Sequence, residues 1–280
     1  MSVTRRQFLS AGLAAGAALM ATDAWAESGE VVLTRHDLPL PGLPAGLDGL
    51  RVAQVTDVHL PFNQGWARAA LRLLAAERPE VVLATGDVLD HHAGERSLRA
   101  PFVGEFLDAM RGTLGTVALI GNHERALGLG PAALDHWYRR HGITFALNRA
   151  VRLDTGSGVL AIVALDDPVS GAPDVRAALR EVDTGHDAQL LALHAPGPMD
   201  TIALPEGHRL GAALAGHTHG GQVRLPLLPA VLPRDSGRFV AGWYRDAVIP
   251  TYVSRGIGAS GVRVRTFCPA ELAVFTLRRS

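Results

Sequence analysis

The sequence predicts an α/β fold in a single domain, and three observations carry that prediction. Short apolar runs rich in Val, Leu and Ala recur along the chain, and in its first half they alternate with segments of helical period. The chain has 280 residues, 48% apolar and 19% charged, enough for one large core, with no break in composition to divide it. Five of the apolar runs end in Asp, Asn or His. Strands of this composition belong to a largely buried sheet. Open α/β sheets bind ligands beyond the carboxyl ends of their strands, so the polar termini are expected to gather at one edge.

Residues 1–26 are read as an export signal, leaving residues 27–280 as the folded domain. Arg5-Arg6-Gln7-Phe8-Leu9 precedes an uncharged small-residue run from Ser10 to Ala21, and Ala24-Trp25-Ala26 supplies a cleavage site. Paired arginines followed by x-Phe-Leu resemble the twin-arginine type, which exports proteins already folded. That predicts a periplasmic or otherwise extracytoplasmic protein, membrane-associated if the segment stays as an uncleaved anchor. Replacing Arg5 and Arg6 together by Ala is expected to hold the chain inside the cell. Cell fractionation checks this, and export of the doubly substituted chain would sink the reading.

The domain then unfolds in order. Glu30 to Leu50, with Pro39, Pro41 and Pro44, predicts an extended lead-in strand and loop. Leu50 to Val55 is a β-branched run ending at Asp57-Val58-His59. Trp66 to Glu77 has helical spacing and stops before Pro79. Val81 to Ala84 is a second strand, ending at Gly86-Asp87-Val88-Leu89-Asp90. A helix is expected from Ser97, as its cap, to Met110. Thr116 to Ile120 is a third strand, ending at Gly121-Asn122-His123-Glu124, and Pro131 to Arg140 is a helix opened by its proline. Strands follow at Ala150 to Leu153, Val159 to Leu165, Leu190 to Leu193 and Ala212 to Ala215, with a helix over Val175 to Glu181. The last two of these strands end at His194 and at Gly216-His217-Thr218-His219-Gly220-Gly221-Gln222. Two final strands are expected at Tyr252 to Ser254 and Val262 to Leu277.

The collected polar termini are Asp57, His59, Asp87, Asn122, His194, His217 and His219. They offer oxygen and imidazole donors without thiolate, which suits Mn, Fe or Zn. Seven donors exceed what one ion takes from protein, whereas two divalent ions sharing one carboxylate account for all of them. Other chemistries are excluded. All 27 basic residues are Arg, so there is no Lys nucleophile and no lysine-bearing phosphate loop. One cysteine, Cys268, permits neither an internal disulfide nor a thiolate zinc cluster, and reads as a buried or half-buried thiol. A Ser or Cys hydrolase would need a nucleophile elbow or a base beside Cys268, and neither is present. Zero net charge, or −1 once residues 1–26 are removed, gives no reason to expect a nucleic-acid partner.

Asp-x-His, Gly-Asp-x-x-Asp, Gly-Asn-His-Glu, a lone His after a strand and Gly-His-x-His, in that order over Asp57 to His219, resemble the signature of calcineurin-like metallophosphoesterases. The later segments GHTHGGQVRLP, AGWYR and YVSRGIGASGVRVRTFCPAEL resemble an exported or membrane-associated bacterial subfamily of single-domain phosphodiesterases. The resemblance implies a sandwich of two mixed sheets flanked by helices. It also implies that Asp57, His59 and His219 hold one ion, that Asn122, His194 and His217 hold the other, and that Asp87 bridges. In this reading a bridging hydroxide attacks the phosphoester and His123 protonates the leaving group or orients the phosphate. A phosphomonoesterase of the same fold, or a non-catalytic metal- or lipid-binding module, stays as the alternative; a module would be expected to show degenerate ligands, and none is degenerate.

Around this set, Asp90 is expected to orient a ligand, and His91 and His92 to stand at the rim. Arg125, Arg255 and His91 are the candidates for substrate phosphate contact. Asp166-Asp167-Pro168 reads as a turn, and His36, His136, His141, His186 and His208 as surface residues. Leu225 to Pro233 carries no charge and holds three prolines, so it is expected to be a stiff apolar loop. If exposed beside the site, it would suit an amphiphilic or lipid-linked phosphate ester and peripheral contact with a membrane.

Overall fold

The computed structural model describes residues 29–280, and the export signal expected over residues 1–26 lies outside them. The elements are β1 (Val31–Leu40), β2 (Arg51–Val55), α1 (Gln64–Glu77), β3 (Val81–Thr85), α2 (Pro101–Ala109), β4 (Gly115–Leu119), α3 (Asn122–Ala126), α4 (Pro131–Arg140), β5 (Thr144–Phe145), β6 (Arg149–Asp154), β7 (Val159–Ala164), α5 (Val175–Ala178), β8 (Asp187–Ala192), β9 (Leu210–Ala215), β10 (Gly242–Tyr244), β11 (Thr251–Val253) and β12 (Ala270–Arg279). They form two six-stranded sheets, ordered β1-β12-β2-β3-β4-β5 and β10-β11-β9-β8-β7-β6. Both are mixed. In the first, β2 to β5 run parallel while β12 lies antiparallel to β2. In the second, β7, β8, β9 and β11 are parallel, with β6 and β10 antiparallel at the edges.

Alternation of side chains across each strand builds three apolar layers. Leu83 of β3 points to the inter-sheet layer, where Leu119, Ile162, Leu190, Leu214 and Phe275 meet it. Its neighbours Val82 and Ala84 face the other way, against Trp66 and Leu74 of α1, Phe106 of α2 and Tyr138 of α4. Val163, Leu191 and Ala213 form the outer face of the second sheet with Met199 and Phe239. Each fully buried side chain of this size contributes about 1.5–3 kcal/mol relative to exposure. The inter-sheet layer therefore fixes the two sheets face to face, and with them the carboxyl ends of β2, β3, β4, β8 and β9.

Several boundaries differ from those expected. Ser97 does not cap α2: its hydroxyl donates to the Gly94 carbonyl (2.8 Å) within a 3₁₀ segment, and the cap is Ala100, immediately before Pro101. Proline disfavours helical backbone at the residue before it, so the helix begins one residue later than Ala100. Only residues 270–277 of the last expected strand are extended pairing partners; over residues 262–269 the chain forms a single bridge, Val223 to Thr266. The helix over Val175 to Glu181 shrinks to α5. β5 and β10, of two and three residues, carry too little pattern to be expected. His36, read as a surface residue, is half-buried, its Nε2 3.2 Å from the Tyr252 hydroxyl and its ring stacked at 5.4 Å on Phe275.

Candidate metal centre

The loops after β2 and β3 zip together beyond the sheet. Asp57 N donates to Gly86 O (3.1 Å), His59 N to Asp87 O (3.0 Å) and Leu60 N to Val88 O (2.9 Å). This pairing forces left-handed backbone at Asp57 (φ 54°), His59 (52°) and Asp87 (50°), and the turn after β9 does the same at His217 (70°) and His219 (50°). Non-glycine residues held there cost on the order of 1–2 kcal/mol each, so they persist only where their surroundings over-determine them. Gly216 makes the approach close: a Cβ there would collide with the Thr56 hydroxyl and the Asp57 carboxylate.

All seven expected donors converge at this edge. Asp57, His59 and His219 form one group whose ligand atoms lie within 4.8 Å of one another, and Asp87, His194 and His217 form another. In the first, His59 Nε2 lies 2.9 Å from His219 Nε2, which is 3.5 Å from Asp57 Oδ1. In the second, His194 Nε2 stands 3.2 Å from Asp87 Oδ2, 3.2 Å from His217 Nδ1 and 3.1 Å from Asn122 Oδ1. Asp87 Oδ2 is also 3.9 Å from His59 Nε2, so this carboxylate lies between the groups. Except for half-buried Asn122, every one of these side chains is buried.

The set fits divalent cations. His194 turns Nδ1 to the Thr85 carbonyl (2.9 Å), and His217 turns Nε2 to the Arg234 carbonyl (2.7 Å). A carbonyl accepts only an N–H, so each ring presents its other nitrogen to the cluster, the arrangement metal-binding histidines use. The charges agree. Burial, with His219 alongside, pushes His59 down to about 3. Burial also opposes charge on His194, but Asp87 outweighs it and raises that ring to about 10. The buried carboxylate thus draws positive charge to its Oδ2, a demand a divalent ion would meet.

Neighbouring side chains hold the donors in place. Asp90 Oδ2 is 3.8 Å from His59 Nδ1, and its Oδ1 is 3.4 Å from His123 Nδ1, the orienting position expected of it. Glu124, assigned no role from the sequence, is fully buried and accepts from the backbone amides of Asp87 (2.8 Å), Leu89 (2.8 Å) and Gly121 (3.0 Å). Burial, and then the nearby Asp87, raise its carboxyl to about 7. Glutamate at the third position of a short helix is the usual reciprocal cap, which was the available signal. Arg265, also fully buried, donates to the carbonyls of Gly258 (2.6 Å), Arg255 (2.6 Å) and Cys268 (3.1 Å), and its Nη2 is 3.3 Å from His219 Nδ1.

A cleft of about 240 Å³ opens over the donors. His123 lines it, with Nε2 4.0 Å from Asp87 Oδ2 and 3.4 Å from Ser260 Oγ. Val231 and Pro233 line it too, so the apolar loop closes one wall. The three candidates for phosphate contact each have a partner within the protein. Arg125 pairs with Asp166, Arg255 Nε lies 3.4 Å from Glu271, and His91 packs its ring on His123 at 4.3 Å.

Residues 50–221 match the family described as calcineurin-like phosphoesterase. Over 297 residues the chain is 28% identical to the uncharacterized metallophosphoesterase YkuE of Bacillus subtilis, covering 99% of this chain and 98% of that one. It is 26% identical over 292 residues to phosphodiesterase YaeI of Escherichia coli, covering 98% and 99% respectively. Among solved structures, a dimetal phosphatase from Danio rerio aligns with TM-score 0.46 and 13% identity, over 81% of this chain and 92% of that one.

Proposed function

The chain belongs to the calcineurin-like phosphoesterases, and from that membership we propose an exported dinuclear-metal phosphodiesterase whose substrate carries an apolar chain. It is a metal-dependent phosphoesterase. In the proposal Asp57, His59 and His219 hold one ion, Asn122, His194 and His217 the other, and Asp87 serves both. Ions bound there, of Mn, Fe or Zn, would supply Lewis acidity at the phosphoryl oxygens and lower the pKa of a water. The chain's own residues do the rest. Asp90 orients His123 through Nδ1, and His123 hands a proton from Nε2 to the departing oxygen. Glu124 and Arg265 keep the loops that carry the donors from relaxing.

The observation that carries the substrate class is the wall formed by Val231 and Pro233. From that wall the loop extends outward with Leu227 103%, Val231 84% and Leu228 58% exposed. Exposed apolar surface of this kind marks a lipid or partner surface. Val262 and Val264 add to it from the segment that Thr266 bridges to Val223. Exposed Arg224 and Arg234 flank the loop and exposed Arg263 lies between Val262 and Val264, a placement suited to an anionic membrane face. The relative named a phosphodiesterase supports the diester over the monoester.

Substituting both Leu227 and Leu228 by Ser is expected to raise KM about tenfold for a long-chain phosphodiester while sparing a small soluble one. Tenfold corresponds to about 1.4 kcal/mol, less than full burial of one Leu contributes. Steady-state kinetics on the two substrates check this, with activity dependent on added metal and abolished by chelation. Equal effects on both substrates, or on neither, would make the loop structural.

A further inference from the structure

We propose a third cation site, outside the two groups above, formed by Asp90, His91, His92 and His123 and suited to zinc. Asp90-His91-His92 opens the 3₁₀ segment His91–Arg99, and His123 stands in the first turn of α3, so two separate loops supply the donors. One ligand atom from each of the four lies within 4.8 Å of the others. His91 Nδ1 is 3.0 Å from His123 Nδ1, Asp90 Oδ1 is 3.4 Å from His123 Nδ1, and Asp90 Oδ1 is 2.8 Å from His92 Nδ1. A tetrahedral site with bonds of about 2.0–2.1 Å has ligand-to-ligand edges of about 3.3 Å. These edges fall within about 0.5 Å of that value, before any ion draws the donors together. Three imidazoles and one carboxylate make a donor set that zinc accepts readily.

The site is distinct from the dinuclear cluster because His123 meets it with Nδ1, while Nε2 faces Asp87 and Ser260 across the ring. It is open to solution on the other side, where the His92 side chain is 59% exposed. An ion there would bind the nitrogen through which Asp90 orients His123. Zinc in excess is therefore expected to slow turnover, which makes the site inhibitory.

The test begins with protein carrying its two ions, to which zinc is added while bound metal per chain and turnover are followed. Wild type is expected to take up a third ion and to lose activity as it does so. His92→Ala should keep two ions, bind the third at least about 10–100-fold more weakly, and require correspondingly more zinc to halve its own zinc-free turnover. His186→Ala, at another exposed imidazole, should leave the third ion unchanged. A wild-type count that stops at two in excess zinc would overturn the proposal. So would a His92→Ala protein that binds the third ion with wild-type affinity, or a His186→Ala protein that loses it equally. The outcome stands apart from the dinuclear reading: a chain holding only one ion in the two groups would defeat that reading and still lose an ion on His92→Ala.

Discussion

Asp87→Asn is expected to abolish turnover while leaving the fold intact. The carboxylate is 2% exposed and stands 3.2 Å from His194, 3.9 Å from His59 and 4.0 Å from His123. Its Oδ2 thus stands near an imidazole nitrogen of each group. Its Oδ1 also accepts from the His123 amide (2.8 Å), a bond that asparagine can still accept. The substitution therefore preserves volume and one hydrogen bond while removing the charge and replacing the Oδ2 acceptor with an amide donor. Residues that merely orient a ligand typically cost about 10–100-fold in metal affinity or activity when lost. A carboxylate serving two ions should exceed that, and should exceed the cost of Asp57→Asn or Asn122→Ala, each confined to one group. Metal content per chain, turnover and the melting temperature of metal-free protein, measured together, separate the outcomes. A variant that keeps two ions and near-native turnover would disprove the bridging role. One that melts tens of degrees lower would show that the carboxylate is holding the loops instead.

The donors were legible because each follows an apolar run, and a polar residue at the end of a buried strand leaves the core at a predictable edge. The residues supporting them were less so. Glu124 sits in the Gly-Asn-His-Glu motif, yet two of its three amide partners, Asp87 and Leu89, are more than thirty residues away in sequence. Arg265 alternates with Val262 and Val264 in a pattern that reads as a strand. In the fold its side chain is fully buried and satisfies carbonyls of several turns, and its segment forms a single bridge in place of a regular ladder. The division into two sheets was not visible in periodicity either. With apolar layers on both faces, strands such as Val81–Thr85 show no alternation of polarity from which to infer a partner sheet. The two-sheet architecture came from the resemblance, and the alternating contacts of Val82, Leu83 and Ala84 now explain it.

His123→Ala is expected to leave both ions bound and to cut turnover by about 10²–10⁴-fold on diesters with poor leaving groups. The ring is 7% exposed and belongs to the wall of the cleft. Burial disfavours its charged form, but the hydrogen bond to Asp90 and the charges of Asp87, Asp90 and Glu124 outweigh this and raise its pKa. A ring so placed is shifted toward its protonated form, and its Nε2 faces the cleft. Proton donation matters most when the departing oxygen is strongly basic. The loss should therefore be large for an alkyl alcohol and much smaller for a nitrophenolate, which leaves without help. Turnover across leaving groups of graded basicity checks this, with metal content measured on the same samples. Uniform losses would mean that His123 positions the phosphate without donating a proton. In protein carrying two ions and no added zinc, loss of one would mean that the ring belongs with His59 and Asp87, the donors it also approaches.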